Sequence, residues 1–156
     1  MKKVLLILVA VMGMAFAANA QSNALGLRFG GGSSYGAELS YQRDLASINR
    51  LELDLGSNFT RDNFHLNFFY LAGIFQWKGN ITDWLGWYAG PGAKVSYCVN
   101  HGVGLAVAGQ VGVEAMLPSI PLQISLDIRP EYEFILPNEC INSFSWAIAL
   151  GIRYKF

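Results

Sequence analysis

The last fourteen residues of the chain, 143–156, alternate strictly between two kinds of side chain. Every even-numbered residue from Phe144 to Phe156 is large and apolar, whereas the odd-numbered residues are small or charged. A period of two is that of a β-strand, in which successive side chains point to opposite faces of the sheet. The stretch is therefore predicted to be a strand with one wholly apolar face.

Such a face has to be covered by another apolar layer. In a soluble protein a helix or a second sheet covers it, but no helical segment follows the first twenty residues of this chain. Lipid is the other apolar medium, and closed barrels are the only sheets that span it, because they have no unpaired edge. The terminal strand therefore favours a transmembrane β-barrel.

The first twenty residues differ from the rest of the chain. A basic start and an apolar run over residues 4–16 precede a small-x-small cleavage site at 18–20. This arrangement predicts a signal peptide at residues 1–20, cut before Gln21, because the run is short for the roughly 20 residues of a membrane helix. The remaining residues, 21–156, have the length of one domain.

The mature chain repeats the alternation in seven further segments. Short connectors rich in Gly, Ser, Asn, Asp and Pro separate them, as turns require. The pattern predicts an all-β fold, an eight-stranded antiparallel up-and-down transmembrane barrel with apolar residues toward lipid. An even strand number places both termini on one side, the periplasm. The seven segments are residues 24–31, 35–42, 50–58, 63–77, 84–97, 103–117 and 120–134.

Two of these segments are irregular. The fourth is aromatic on both faces, and we assign Phe64, Leu66, Phe68 and Tyr70 to the outward face. The fifth contains Pro91, which has no N–H group for the ladder of hydrogen bonds, so a bulge or a bend is expected there.

Charges of both signs fall on the inward face, and a closed interior requires them to be paired. If the first turn is centred on Ser33, Arg28 lies opposite Glu38, and Asp127 is expected diagonal to Arg153. Eight strands enclose little space, which favours a packed polar plug over a charged pore constriction. The predicted interior charges are Arg28, Glu38, Glu52, Asp54, Lys94, Glu114, Asp127, Arg129, Glu131 and Arg153.

The two cysteines, Cys98 and Cys140, follow the fifth and seventh predicted strands. Both connectors emerge on the outer side, in adjacent hairpins, and the signal peptide delivers them to a compartment where disulfides persist. We predict a Cys98–Cys140 disulfide, with two free thiols or pairing between chains as the alternatives. The two histidines, His65 and His101, have no triad or metal-ligand spacing, so no catalytic, cofactor-binding or metal-binding residue is predicted.

The eight strands, the leader and the terminal aromatic resemble the small outer-membrane barrels of the OmpA/OmpX type. The end of the chain, Gly151-x-x-Tyr154-x-Phe156, is similar to that family's assembly signal. The resemblance implies a location in the bacterial outer membrane, with outer-membrane lipid and the barrel-assembly machinery as partners. The slight acidic balance of the mature chain gives no sign of a nucleic-acid partner. No cofactor is expected, and a monomer is favoured although the sequence does not determine the oligomeric state. The family usually has long outer loops, whereas all the predicted connectors here are short, which argues against an adhesive role.

The expected function is that of a non-enzymatic outer-membrane barrel with a structural or porin-like surface role, its interior plugged by charged and small side chains. One alternative is an outer-membrane barrel enzyme that modifies lipid A. Another is a soluble lipocalin-like binding barrel, in which the apolar face would point inward. The inward charges argue against this last alternative.

Overall fold

The computed structural model describes residues 23–32, 35–59, 68–98, 102–135 and 144–156. The predicted signal peptide, His65, His101 and Cys140 lie outside these residues. Within the described part of the chain, no helix has the length and apolar character needed to cross a membrane. The strands are β1 (Asn23–Gly32), β2 (Tyr35–Asp44), β3 (Asn49–Phe59), β4 (Phe68–Asn80), β5 (Leu85–Cys98), β6 (Gly102–Met116), β7 (Leu122–Ile135) and β8 (Phe144–Lys155).

The eight strands form one closed antiparallel barrel in chain order, and β8 pairs with β1 to close it. The two chain ends are joined there, since the backbone N–H of Asn23 donates to the carbonyl of Phe156 and the N–H of Phe156 donates to Asn23, both at 2.8 Å. Every strand therefore has two hydrogen-bonded neighbours and no edge is left open. The predicted all-β, eight-stranded antiparallel barrel is confirmed.

Strict alternation divides the side chains between the two walls. On β8 the even-numbered residues from Phe144 to Tyr154 are all exposed, whereas Ala149, Gly151 and Arg153 are buried. The other strands follow the same rule, so the outer wall is mainly apolar and the inner wall carries the charges. This polarity is the reverse of that in a soluble protein.

The assignment of Tyr70 to the outward face is wrong. Tyr70 is only 7 % exposed and points into the lumen, where its hydroxyl donates to Glu38 at 2.6 Å. Phe69 and Leu71 face outward instead. Aromatic residues at both odd- and even-numbered positions made the outward face of this segment ambiguous. The phenolic hydroxyl of Tyr70 places it inside, because a buried hydroxyl needs a hydrogen-bond partner and finds one in the lumen. Outside the described part are Phe64, Leu66 and the side chain of Phe68.

The bulge expected at Pro91 is absent. Pro91 lies opposite Gly109 in an unbroken register between β5 and β6. On the other side, pairing with β4 stops after Ile74 and resumes at Trp77 in the same register, so two residues are left unpaired. Because proline has no N–H group, the ladder of hydrogen bonds is interrupted there, but the strand gains no extra residue. A register shift occurs instead between β6 and β7, at Leu105 and Ala106.

Candidate functional site in the barrel interior

The structure places all ten predicted interior charges on the lumen side of the barrel, with Glu114 and Glu131 only partly buried. Sequence reasoning missed two further buried charges, Arg50 and Glu133. The signal was available, because Arg50 precedes Glu52 by two residues and Glu133 follows Glu131 by two. Both continue the inward alternation to the ends of their strands.

Arg129 of β7 reaches carboxylates on the far side of the lumen. Its Nη2 donates to Asp54 and lies 3.3 Å from Oε1 of Glu52, both on β3. Its Nη1 lies 3.4 Å from Oε2 of Glu38 on β2. Because β3 and β7 stand opposite each other in the closed order of strands, Arg129 spans the lumen.

Arg28 of β1 joins the two carboxylates nearest to it. Its Nη1 donates to Glu38 at 2.6 Å, and its Nε and Nη2 donate to the two oxygens of Asp127. The predicted position opposite Glu38 is confirmed by the register. Such two-pronged pairs are the strong form of a charge-assisted hydrogen bond. The hydroxyls of Tyr70 and Tyr88 donate to the same two carboxylates, at 2.6 and 2.9 Å.

The predicted approach of Asp127 to Arg153 is wrong. Arg153 lies opposite Gln123 rather than beside Asp127. Its guanidinium donates to the hydroxyls of Ser40 and Ser125, at 2.9 and 2.6 Å. The register of a hairpin depends on its connector. Eight residues separate β7 from β8, too many for the register to be read as it is from a two-residue turn.

Glu52 of β3 is surrounded by donors from five other strands. Three are side-chain amides at 2.5 to 3.2 Å, and two are guanidiniums at 3.3 Å. The amides satisfy buried oxygens without adding charge, which an interior with little water requires. The amides belong to Gln42, Gln76 and Gln110, and the guanidiniums to Arg129 and Arg153.

Separate ion pairs occupy the two ends of the lumen. Toward the end away from the chain termini, Lys94 of β5 contacts Glu131 and lies 3.2 Å from Glu133. Toward the end that carries the chain termini, Arg50 of β3 donates to Glu114 of β6 at 2.7 Å. Charged contacts therefore occur at successive levels from one end of the described lumen to the other.

The mouth at the chain termini is also bridged. Asp44 of β2 lies 2.7 Å from Lys78 of β4 and 3.8 Å from Lys155 of β8. A cavity of about 10 Å³ lies beside it, lined in part by Arg50 and Gln123. A cavity of that size has room for about one water molecule.

The interior charges nearly balance. Among the described residues the lumen carries five cations and seven carboxylates, and each of the five cations contacts at least one carboxylate. Within the same residues, no group of three His, Cys, Asp or Glu side chains is placed to hold a metal ion. The donors and acceptors of the lumen are mostly engaged with one another, so the arrangement acts as a cross-link between walls.

The remaining predicted site residues lie at the strand ends. Gly151 is buried opposite Ser125, while Tyr154 and Phe156 are exposed with ring centroids 6.5 Å apart. Cys98 is buried at the end of β5. Its proposed partner, Cys140, lies outside the described residues, so the disulfide remains a prediction.

No protein-family model and no curated protein matches this chain. Among solved structures, it is similar to the N-terminal barrel domain of Pseudomonas aeruginosa OprF, with a TM-score of 0.70 and 12% identity over 86% of this chain and 97% of that one. It is also similar to P. aeruginosa OprH, with a TM-score of 0.65 and 16% identity over 86% of this chain and 99% of that one. Its similarity to Neisserial surface protein A has a TM-score of 0.63, with 12% identity over 87% of this chain and 95% of that one. The chain therefore has the fold of the small outer-membrane barrels.

Proposed function

We propose that this chain is an integral protein of a bacterial outer membrane, with both termini in the periplasm, and that its role is structural and non-catalytic. The observation that carries the proposal is the polarity of the barrel, an apolar outer wall around a charged, cross-linked lumen. A soluble binding barrel needs an apolar cavity inside. The buried ion pairs around Arg129 occupy that space, which argues against the lipocalin-like alternative.

The outer wall supports a membrane location. Exposed aromatic side chains stand near both ends of the barrel, with exposed aliphatic residues between them. Aromatic residues at the two levels of the lipid–water boundary are typical of transmembrane barrels. The aromatic residues near the chain termini include Trp77, Trp87 and Tyr154, and those near the other end include Tyr97, Phe144 and Trp146.

The lumen supports a barrel that does not conduct. Arg129 and Asp54 meet from opposite walls, and the amides around Glu52 fill the adjacent level. Barrels with aqueous channels have about twice as many strands. A wet pore through this lumen would require several buried ion pairs to separate together, which is costly.

Planar-bilayer recordings on refolded protein test the non-conducting role, and we expect no sustained current. A large, stable, ion-selective single-channel current would overturn this role. Cell fractionation combined with heat-modifiable gel mobility tests the location. We expect a folded, heat-modifiable species in the outer-membrane fraction, and a protein that stays soluble in the periplasm would contradict the proposal.

A further inference from the structure

The three turns at the end of the barrel that carries the chain termini repeat one pattern. Each has a large apolar residue in its first and fourth positions and a polar residue in its third. The six apolar side chains are between 37 and 60 % exposed. Tight turns normally carry small polar residues, so large apolar ones in all three point to a contact. We call these six residues the inner-turn ring: Leu45, Ile48, Ile81, Trp84, Leu117 and Ile120.

Backbone hydrogen bonds close all three turns, in the same way in the first two and with one more residue in the third. In the first two turns, the N–H groups of the first two turn residues both donate to the carbonyl of the residue after the turn. These acceptors are Asn49, at 2.9 and 3.1 Å, and Leu85, at 2.8 and 2.9 Å. In the third turn the N–H of Leu117 donates to the carbonyl of Leu122 at 3.0 Å. The apolar pairs are therefore held at fixed positions by ordered turns.

The inner-turn ring is distributed around the barrel. Its turns join β2 to β3, β4 to β5 and β6 to β7, so they are spaced two strands apart. The fourth position is taken by the chain ends, where the rings of Tyr154 and Phe156 stack. A compact protein partner would touch one side of such a ring, whereas a lipid leaflet surrounds it completely.

The ring also continues the apolar outer wall. On β4 and β5, which lead into and out of the second turn, the outward positions between Trp77 and the turn and between the turn and Trp87 carry no charge. The same holds on β6 and β7, where the outward residues leading to the third turn are aliphatic. On β2, Arg43 precedes the first turn and is partly exposed. An arginine at that level can bury its stem in acyl chains and extend its guanidinium to lipid phosphates.

We propose that the inner-turn ring is a lipid-binding surface, seated at the boundary between headgroups and acyl chains of the membrane leaflet nearest the chain termini. The proposal rests on the membrane location proposed above. The turns would then anchor the barrel at a fixed depth. The polar third residue of each turn, Ser47, Asp83 or Ser119, supplies a group for the headgroup layer.

Depth-dependent fluorescence quenching tests the proposal. The chain has four tryptophans, and replacing Trp77, Trp87 and Trp146 with Phe leaves Trp84 as the only one. The protein is refolded into phosphatidylcholine vesicles brominated either near the headgroup or near the acyl-chain end. We expect strong quenching of Trp84 by the shallow bromines and weak quenching by iodide on both sides of the bilayer. The same result is expected when the single tryptophan is moved by I48W or I120W.

The matched control is I148W, on the outer wall of β8, with the other tryptophans replaced by Phe. It is expected to be quenched by the deep bromines, and heat-modifiable mobility checks that each variant folds. If I148W behaves so while tryptophans at 48, 84 and 120 are quenched by iodide and not by brominated lipid, the ring proposal is overturned and the membrane barrel stands. Shallow quenching at 84 alone also overturns the ring. If I148W is not quenched by lipid either, the proposed location itself fails.

Discussion

The guanidinium of Arg129 on β7 donates to the carboxylate of Asp54 on β3, and the two strands stand on opposite walls of the barrel. Both side chains are almost fully buried. The contact closes the lumen at its level with groups of the chain itself. It also links two strands that share no backbone hydrogen bonds.

Substituting Arg129→Ala is expected to lower the free energy of unfolding by about 3–5 kcal/mol, because Glu38, Glu52 and Asp54 lose a cation they share in a poorly hydrated interior. Urea unfolding in lipid vesicles measures this. The control is Lys155→Ala, whose side chain is 33 % exposed and 3.8 Å from Asp44, and which should cost about 0–1 kcal/mol. Equal effects of the two substitutions would contradict the cross-linking role.

If the outer wall faces lipid, a charged residue placed on it should lower the free energy of unfolding by an amount that depends on its depth in the membrane. Ile148→Arg on the outer face of β8 should cost about 2–4 kcal/mol, because the guanidinium faces the middle of the lipid layer. Phe144→Arg lies on the same face near the end of the strand and should cost about 0–1 kcal/mol. Unfolding in vesicles measures both. A spin label at position 147 that contacts lipid, with one at 148 that does not, would show that the faces are reversed.

Gly26 of β1 lies directly against the backbone of β8. A Cβ atom there would be 1.9 Å from the carbonyl oxygen of Ile152, so Gly26→Ala requires the closing strands to separate. We expect a loss of about 1–3 kcal/mol in the free energy of unfolding. The control is Gly73→Ala, where the nearest atom, in Leu53, would be at an ordinary 3.5 Å. That change should stabilise by roughly 0.5–1 kcal/mol, and effects of the same sign at both glycines would refute the argument.

The terminal aromatic residues are predicted to direct assembly. Tyr154→Ala combined with Phe156→Ala should reduce the amount in the outer membrane far more than the amount secreted into the periplasm. Immunoblots of the two fractions give the ratio. Phe144→Ala combined with Trp146→Ala removes two aromatics from the same face at the other end of β8 and should have a smaller effect. Normal membrane levels of the first double variant would argue against an assembly signal.

The predicted Cys98–Cys140 disulfide would close a span of about 40 residues, and its removal should then cost about 3–4 kcal/mol by chain-entropy models. Thiol labelling of freshly isolated, unreduced protein is expected to find no reactive thiol, and labelling after reduction in denaturant should find two. Two reactive thiols before reduction would exclude the bridge. A dimer on a non-reducing gel would point to pairing between chains instead.

Several features were predictable because they depend only on neighbours along the chain. Alternation identified the strands and both walls, and it would have located Arg50 and Glu133 had it been followed to the strand ends. The approach of Arg28 to Glu38 was predictable because a short turn sets the register of its hairpin. The face of the barrel wall on which Tyr70 lies was not predictable, because aromatic residues at both odd- and even-numbered positions leave no contrast in hydrophobicity between the two faces.

By itself, the sequence predicted a closed barrel with its charges inside, because a period of two recurs in eight segments and places the charged residues on the face opposite to the apolar ones. Apart from the pair Arg28–Glu38, only the tertiary structure decided which charges meet. Arg153 contacts Ser40 and Ser125 rather than Asp127, and Arg129 reaches Asp54 across the lumen. The contacts of Arg153 with Ser40 and of Arg129 with Asp54 depend on the relative heights of strands that are not neighbours. The stagger of the closed barrel sets those heights, and no local pattern of residues encodes that stagger.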